Sequence, residues 1–215
     1  MKTEDIKYWI PYWGPFLIES SMIDHEFVDL LREKGDESRE KNLDHSKNLA
    51  GEIDNEYYYQ DFHEWFVPYM GPYVEAYLNG LKTFRSGSQH QLKQDIDVSG
   101  WSCDDLWINY QKANEYNPPH HHTGDLSFVI YLQVPDVLKN EYELSKGQRK
   151  NSGPGTINFD LGVEMPCSLS SFIKLPQEGD VFIFPAWLPH YAQAFKSDVE
   201  RISVSGNIIF KYDKI

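Results

Sequence analysis

Gly179-Asp180-Val181-Phe182-Ile183-Phe184-Pro185-Ala186-Trp187-Leu188-Pro189-His190 is the stretch on which the fold turns. Gly179-Asp180 makes a turn, Val181–Phe184 reads as a buried strand, and Pro185 opens a loop that delivers His190. The same texture extends to either side. From Trp101 onward, short apolar runs alternate with turn residues, the pattern of a β sandwich or barrel. Strands are predicted at Leu106–Gln111, Leu126–Val134, Thr156–Phe159, Ser171–Leu175, Val181–Phe184, His190–Phe195 and Ile202–Lys211. Asn117-Pro118-Pro119, Lys139–Pro154 and Gln177–Asp180 read as connections. No internal repeat interrupts the series, and a mainly β jelly roll with helices packed outside it follows.

Residues 1–100 have a different rhythm. Ile23, Phe27, Leu30 and Leu31 recur at helical spacing behind Ser21 and Asp24, which predicts a capped amphipathic helix ending near Gly35. Glu33 to Lys47 reads as a solvated loop. Asp61 to Leu81 has helical spacing again, through Phe62, Trp65, Phe66, Tyr69, Tyr73 and Tyr77. Pro68 and Gly71-Pro72 are expected to kink or split that helix. Its aromatic stripe suits core packing, and the part near Trp65 also offers a face for a homodimer. Ser86 to Gln94 is polar and reads as a connection. The chain thus divides into a helical and mixed extension packed on the core, 1–100, and a β core, 101–215.

With 215 residues the chain is long enough to bury a substantial core, and 15% aromatic residues suit packing between sheets. A net charge of −13 argues against a protein built to hold a nucleic-acid backbone. Cys103 and Cys167 are the only cysteines, in separate segments, so neither a disulfide framework nor a zinc knuckle is indicated. No apolar run approaches the length of a membrane span, and the first residues lack a signal-peptide stretch. A soluble, cytoplasmic protein without a membrane partner is expected.

Half of the eight histidines fall in the triplet His120-His121-His122 and at His190. On extended backbone His120 and His122 share one face and His121 points away. Neutral imidazole is the commonest transition-metal ligand among side chains. In a double-stranded β-helix, the cupin-like form of the jelly roll, two antiparallel sheets face each other and strand ends line the mouth. An early ligand pair and a late histidine can then occupy one face of an octahedron, leaving neighbouring positions for a bidentate cosubstrate and dioxygen. Asp125 is an alternate ligand if Gly124 bends the chain. Two sets stay open: His120, His122 and His190, or His122, Asp125 and His190. Downstream, Arg201-Ile202-Ser203 sets a guanidinium and a hydroxyl on one strand face, suited to a carboxylate, and Tyr131 adds a phenol to the same group. The rival for Arg201 is an ion pair with one of the 33 acidic residues. Phe182, Phe184 and Trp187 are candidate walls of the site.

Together, His120-x-His122, Leu126-Ser127-x-x-x-Tyr131, Gly179-Asp180-x-x-x-Phe184-Pro185, His190, Arg201-x-Ser203 and Asn207 resemble the Fe(II)- and 2-oxoglutarate-dependent oxygenases. They are most similar to an uncharacterised branch of marine bacteria and tailed phages. The resemblance implies a double-stranded β-helix with Fe(II) held by two histidines and a carboxylate. It also implies that Arg201 and Ser203, with Tyr131 beside them, hold the distal carboxylate of 2-oxoglutarate, and that Asn109 contacts the chelating end. Dioxygen and 2-oxoglutarate would be consumed, giving succinate and carbon dioxide and hydroxylating a small molecule or a protein side chain. The chain departs from the pattern at His122, where the family has Asp or Glu. Two other readings remain beside this one: a cupin-like metal dioxygenase or isomerase that does not use 2-oxoglutarate, and a non-catalytic jelly-roll binding module.

Overall fold

The computed structural model describes residues 14–21, 24–87, 98–145, 152–163, 165–166 and 169–212. Among them lie ten strands in two antiparallel sheets. The strands are β1 (Ile18–Ser21), β2 (Glu56–Tyr58), β3 (Val98–Gln111), β4 (Asn117–His120), β5 (Leu126–Gln133), β6 (Ile157–Asp160), β7 (Ser171–Lys174), β8 (Asp180–Pro185), β9 (His190–Ala192) and β10 (Arg201–Tyr212). The larger sheet runs β1-β8-β5-β10-β3-β2 and the smaller β4-β9-β6-β7, the jelly-roll arrangement expected from the sequence.

Strand alternation divides the larger sheet into two chemically distinct faces. Its outer face presents Leu106, Ile108, Phe128, Ile130, Val181, Ile183 and Val204, all buried in the main core. Helices α1 (His25–Glu40) and α2 (His63–Gly87) cover that face with Phe27, Leu31, Phe66, Met70 and Val74. The inner face contributes Val129, Tyr131, Phe182 and Phe184, which meet Ile157 and Phe159 of the smaller sheet. Next to this inner cluster, polar residues take over the alternating positions, and there the pocket forms.

Several elements differ from the sequence expectation. Helix α1 does not stop at Gly35, so half of the anticipated loop is helical. Gly35 is buried against the sheet, and a Cβ there would collide with Ile108 Cδ1 and sit 3.2 Å from the hydroxyls of Tyr59 and Tyr110. It is a close-approach glycine, not a terminator. The N-cap is Asp24, whose carboxylate accepts from Phe27 N–H at 3.3 Å. Helix α2 is one element with Pro68 and Pro72 inside it, its apolar stripe held on the sheet. A third helix, α3 (Asp136–Ser145), occupies part of the expected connection and buries Leu138. Asn117-Pro118-Pro119 belongs to edge strand β4, a position where proline costs no shared ladder bond. The boundary drawn at residue 100 falls inside β3, which pairs with β10 from Gln111 back to Val98. Residues 88–97, most of the segment read as a polar connection, lie outside the described residues.

Candidate metal centre

His120 closes β4 and His190 opens β9, and the two are directly paired in the ladder. His122 follows two residues later, its N–H donating to the Ala186 carbonyl at 2.9 Å in the turn between β8 and β9. One ligand atom from each of the three lies within 4.8 Å of the others. Ring centroids are 4.4 Å apart for His120 and His190, 4.8 Å for His120 and His122, and 5.1 Å for His122 and His190. His121 is exposed and outside the group.

Backbone carbonyls fix two of the tautomers. His120 Nδ1 lies 2.7 Å from Pro118 O, and His190 Nδ1 lies 2.9 Å from Leu188 O. A carbonyl can only accept, so Nδ1 carries the proton and Nε2 keeps its lone pair for a ligand. Burial, reinforced by the neighbouring histidines, pushes His190 down to about 3 and His122 down to about 4. Burial also lowers His120, against the Pro118 hydrogen bond. All three are therefore neutral at physiological pH. Phe184 packs on the His190 ring at 4.6 Å and Trp107 on the His122 ring at 5.6 Å. Three neutral nitrogen donors within an aromatic wall suit a divalent transition metal.

Asp125 is directed elsewhere. Its carboxylate accepts from Phe210 N–H at 2.7 Å and from the Tyr212 hydroxyl, after Gly124 turns the chain at φ +100°. Of the two ligand sets open in the sequence, the structure brings together His120, His122 and His190. Trp187 is 55% exposed and does not line the pocket, whereas Phe184 does.

Arg201 is buried at the start of β10, opposite Gln111 of β3. It donates through Nη1 to Gly155 O at 2.5 Å and through Nη2 to Gln111 Oε1, while its Nε has no partner. No carboxylate among the described residues pairs with it, so the ion-pair reading is not realised. Burial lowers its pKa from the ordinary value, yet a guanidinium stays charged at neutral pH. A buried cation without a counter-charge is unfavourable until an anion arrives. Its guanidinium carbon sits 5.4 Å from the Tyr131 ring centroid, and burial raises the Tyr131 phenol, keeping it a neutral donor. Ser203 is in register with both Tyr131 and Asn109. Asn109 Nδ2 donates to Ser203 at 3.4 Å, and its Oδ1 is buried without a partner.

One pocket is lined by all of these groups: the three histidines, Asn109, Tyr131, Arg201 and Ser203. Arg201 and Ser205 are four residues apart on β10, about 13 Å of strand, and Ser205 pairs with Trp107 beside His122. Gln111 was not anticipated as the brace of Arg201. Its position two residues beyond Asn109 on a predicted strand was the available signal.

Residues 105–207 match the family model described as "Putative 2OG-Fe(II) oxygenase". No curated protein matches the sequence. Among solved structures, a prolyl-4-hydroxylase of Pseudomonas putida is similar at 10% identity and a TM-score of 0.51, covering 92% of this chain and 93% of that one. A prolyl hydroxylase of Trichoplax adhaerens, bound to a peptide fragment of the hypoxia inducible factor oxygen degradation domain, is similar at 8% identity and a TM-score of 0.50, over 93% and 84%. An oxidoreductase of the 2OG-Fe(II) oxygenase family from Burkholderia pseudomallei gives 10% identity and a TM-score of 0.51, over 90% and 84%. At such identities these likenesses establish the fold.

Proposed function

Because residues 105–207 match the model of the 2OG-Fe(II) oxygenases, we propose that His120, His122 and His190 hold the iron of a 2-oxoglutarate-dependent dioxygenase. Fe(II), 2-oxoglutarate and dioxygen come with that family. When bound, the iron couples decarboxylation of 2-oxoglutarate to succinate with oxidation of the substrate.

The chain's own residues bind, orient and exclude water. Arg201 supplies the counter-charge for the distal carboxylate of 2-oxoglutarate, with Ser203 and Tyr131 as neutral donors beside it. Asn109, on the next strand, borders the chelating end. Phe159, Phe184 and Trp107 give the histidines apolar surroundings, which strengthens electrostatic interactions there and limits entry of water. The observation that carries this reading is Arg201: a buried cation with no anionic partner among the described residues, opening on the same pocket as three neutral imidazoles.

The enzyme acts on a partner substrate, a small molecule or a protein side chain. The peptide held by the Trichoplax relative supports the second. The charge of −13 speaks against nucleic acid. Among the described residues no helix is long and apolar enough to cross a membrane, and a cytoplasmic setting is part of the proposal. So is a homodimer through the helix near Trp65.

The test is an anaerobic titration with Fe(II) and then 2-oxoglutarate, reading the weak visible charge-transfer band of the chelate. The band is expected in the wild type and absent from Arg201→Ala and His190→Ala. Iron uptake without the band would support the cupin-like reading that excludes 2-oxoglutarate. No iron uptake would leave a binding module and overturn the enzyme.

A further inference from the structure

One rung of the larger sheet passes beside the histidines and has no part in holding metal or cosubstrate. It consists of Phe184 on β8, Ser127 on β5, Asn207 on β10 and Asp105 on β3, each in register with the next. At one end the Phe184 ring rests on His190. At the other, Trp107, two residues along the same strand face from Asp105, rests on His122. Phe184 and Trp107 line the pocket, and the rung between them borders its metal end.

Two of its polar side chains, Asn207 and Asp105, are each anchored from one side only. Asn207 is buried and accepts through Oδ1 from the Ser127 hydroxyl at 2.8 Å, which directs its NH2 away from Ser127. That NH2 donates to no acceptor among the described residues. Asp105 is tethered through Oδ2 to His45 Nε2 at 3.0 Å, its side chain 37% exposed, and Oδ1 has no partner among the described residues. A fixed donor and a fixed acceptor thus stand on adjacent strands, with Cβ atoms about 5 Å apart.

We propose that Asn207 and Asp105 read a primary carboxamide of the substrate, Asn207 donating to its carbonyl and Asp105 accepting from the N–H on the same edge. This rests on the oxygenase reading. Other ligand groups satisfy only half of the pair. An ammonium or guanidinium would meet Asp105 but set donors against the Asn207 NH2. A carboxylate would meet Asn207 but be repelled by Asp105. A primary carboxamide matches both. Trp187, on the turn whose Ala186 carbonyl holds His122, offers an exposed apolar surface to the rest of such a molecule.

The probes are primary carboxamides of short aliphatic and aromatic acids and the corresponding methyl esters, which keep the carbonyl and lose every N–H. They are titrated calorimetrically into full-length protein carrying Mn(II) and 2-oxoglutarate. At least one amide is expected to bind about tenfold or more tightly than its ester. Asp105→Asn should erase that preference and Asn207→Asp should weaken amide and ester together, both with unchanged 2-oxoglutarate affinity, which also reports an intact fold. Equal binding of amide and ester, no amide binding, or tighter binding of nucleosides with a similar donor–acceptor edge would overturn the proposal. If 2-oxoglutarate itself fails to bind the Mn(II) protein, the oxygenase reading falls. If it binds and the amides do not, only the amide site falls.

Discussion

In the proposed centre, His122 stands where a carboxylate would bring a negative charge to the metal. Held by three neutral imidazoles, a divalent ion would keep its full charge until the dianionic cosubstrate arrives, so metal and 2-oxoglutarate should bind with strong mutual reinforcement. His122→Asp is expected to tighten Fe(II) binding in the absence of 2-oxoglutarate by about tenfold and to shrink the gain from adding it, measured by equilibrium dialysis under anaerobic conditions. An unchanged affinity would show that His122 is not a ligand. The pairing of His120 with His122 was legible because strand alternation is a local rule, whereas their meeting with His190 rests on the ladder between β4 and β9. The fate of Asp125 was not, since it depends on acceptor demand from Phe210 and Tyr212 far along the chain. The brace that Gln111 provides for Arg201 was hidden for the same reason: cross-strand register is not written in either strand alone.

Among the elements, the long strands with clean alternation were the readable ones. The short edge strands β1 and β2, of four and three residues, carry too few positions to show a period. Gly35 misled in an instructive way, because a glycine that ends a helix and one that lets a helix touch a sheet look identical in sequence. Strand β2 holds a second surprise. Glu56 is fully buried and both of its carboxylate oxygens lack partners. Burial, then the nearby charges of Glu115 and Asp44, raise its pKa to about 8, and no cation is among the causes. Its folded value lies above its unfolded one, so the folded protein holds the proton more tightly. Stability is then highest below about pH 4.5 as far as this group is concerned, and falls as pH rises toward 8. Glu56→Gln should flatten that decline and stabilise the protein at pH 8 by on the order of a few kcal/mol, read from denaturant unfolding at several pH values. A variant with the same pH slope as the wild type would exclude Glu56 as its source.

On the scale of the molecule, the jelly roll was legible because turn residues punctuate apolar runs from Trp101 to the end, and the candidate site followed because its histidines sit at or just beyond strand ends. The involvement of the first hundred residues in the sheet was not, since β1 and β2 add to its two edges by backbone pairing that any sequence can make. The same architecture leaves Arg201 inside the barrel with no counter-charge among the described residues. An anion that binds only the folded form stabilises it, by about 2.7 kcal/mol at a hundredfold excess over Kd. The melting temperature should therefore climb with 2-oxoglutarate concentration in calorimetric scans, and the climb should disappear in Arg201→Ala. With 2-oxoglutarate as that anion, its supply would reach this protein twice, once as the fuel of turnover and once as the missing charge that holds the fold shut.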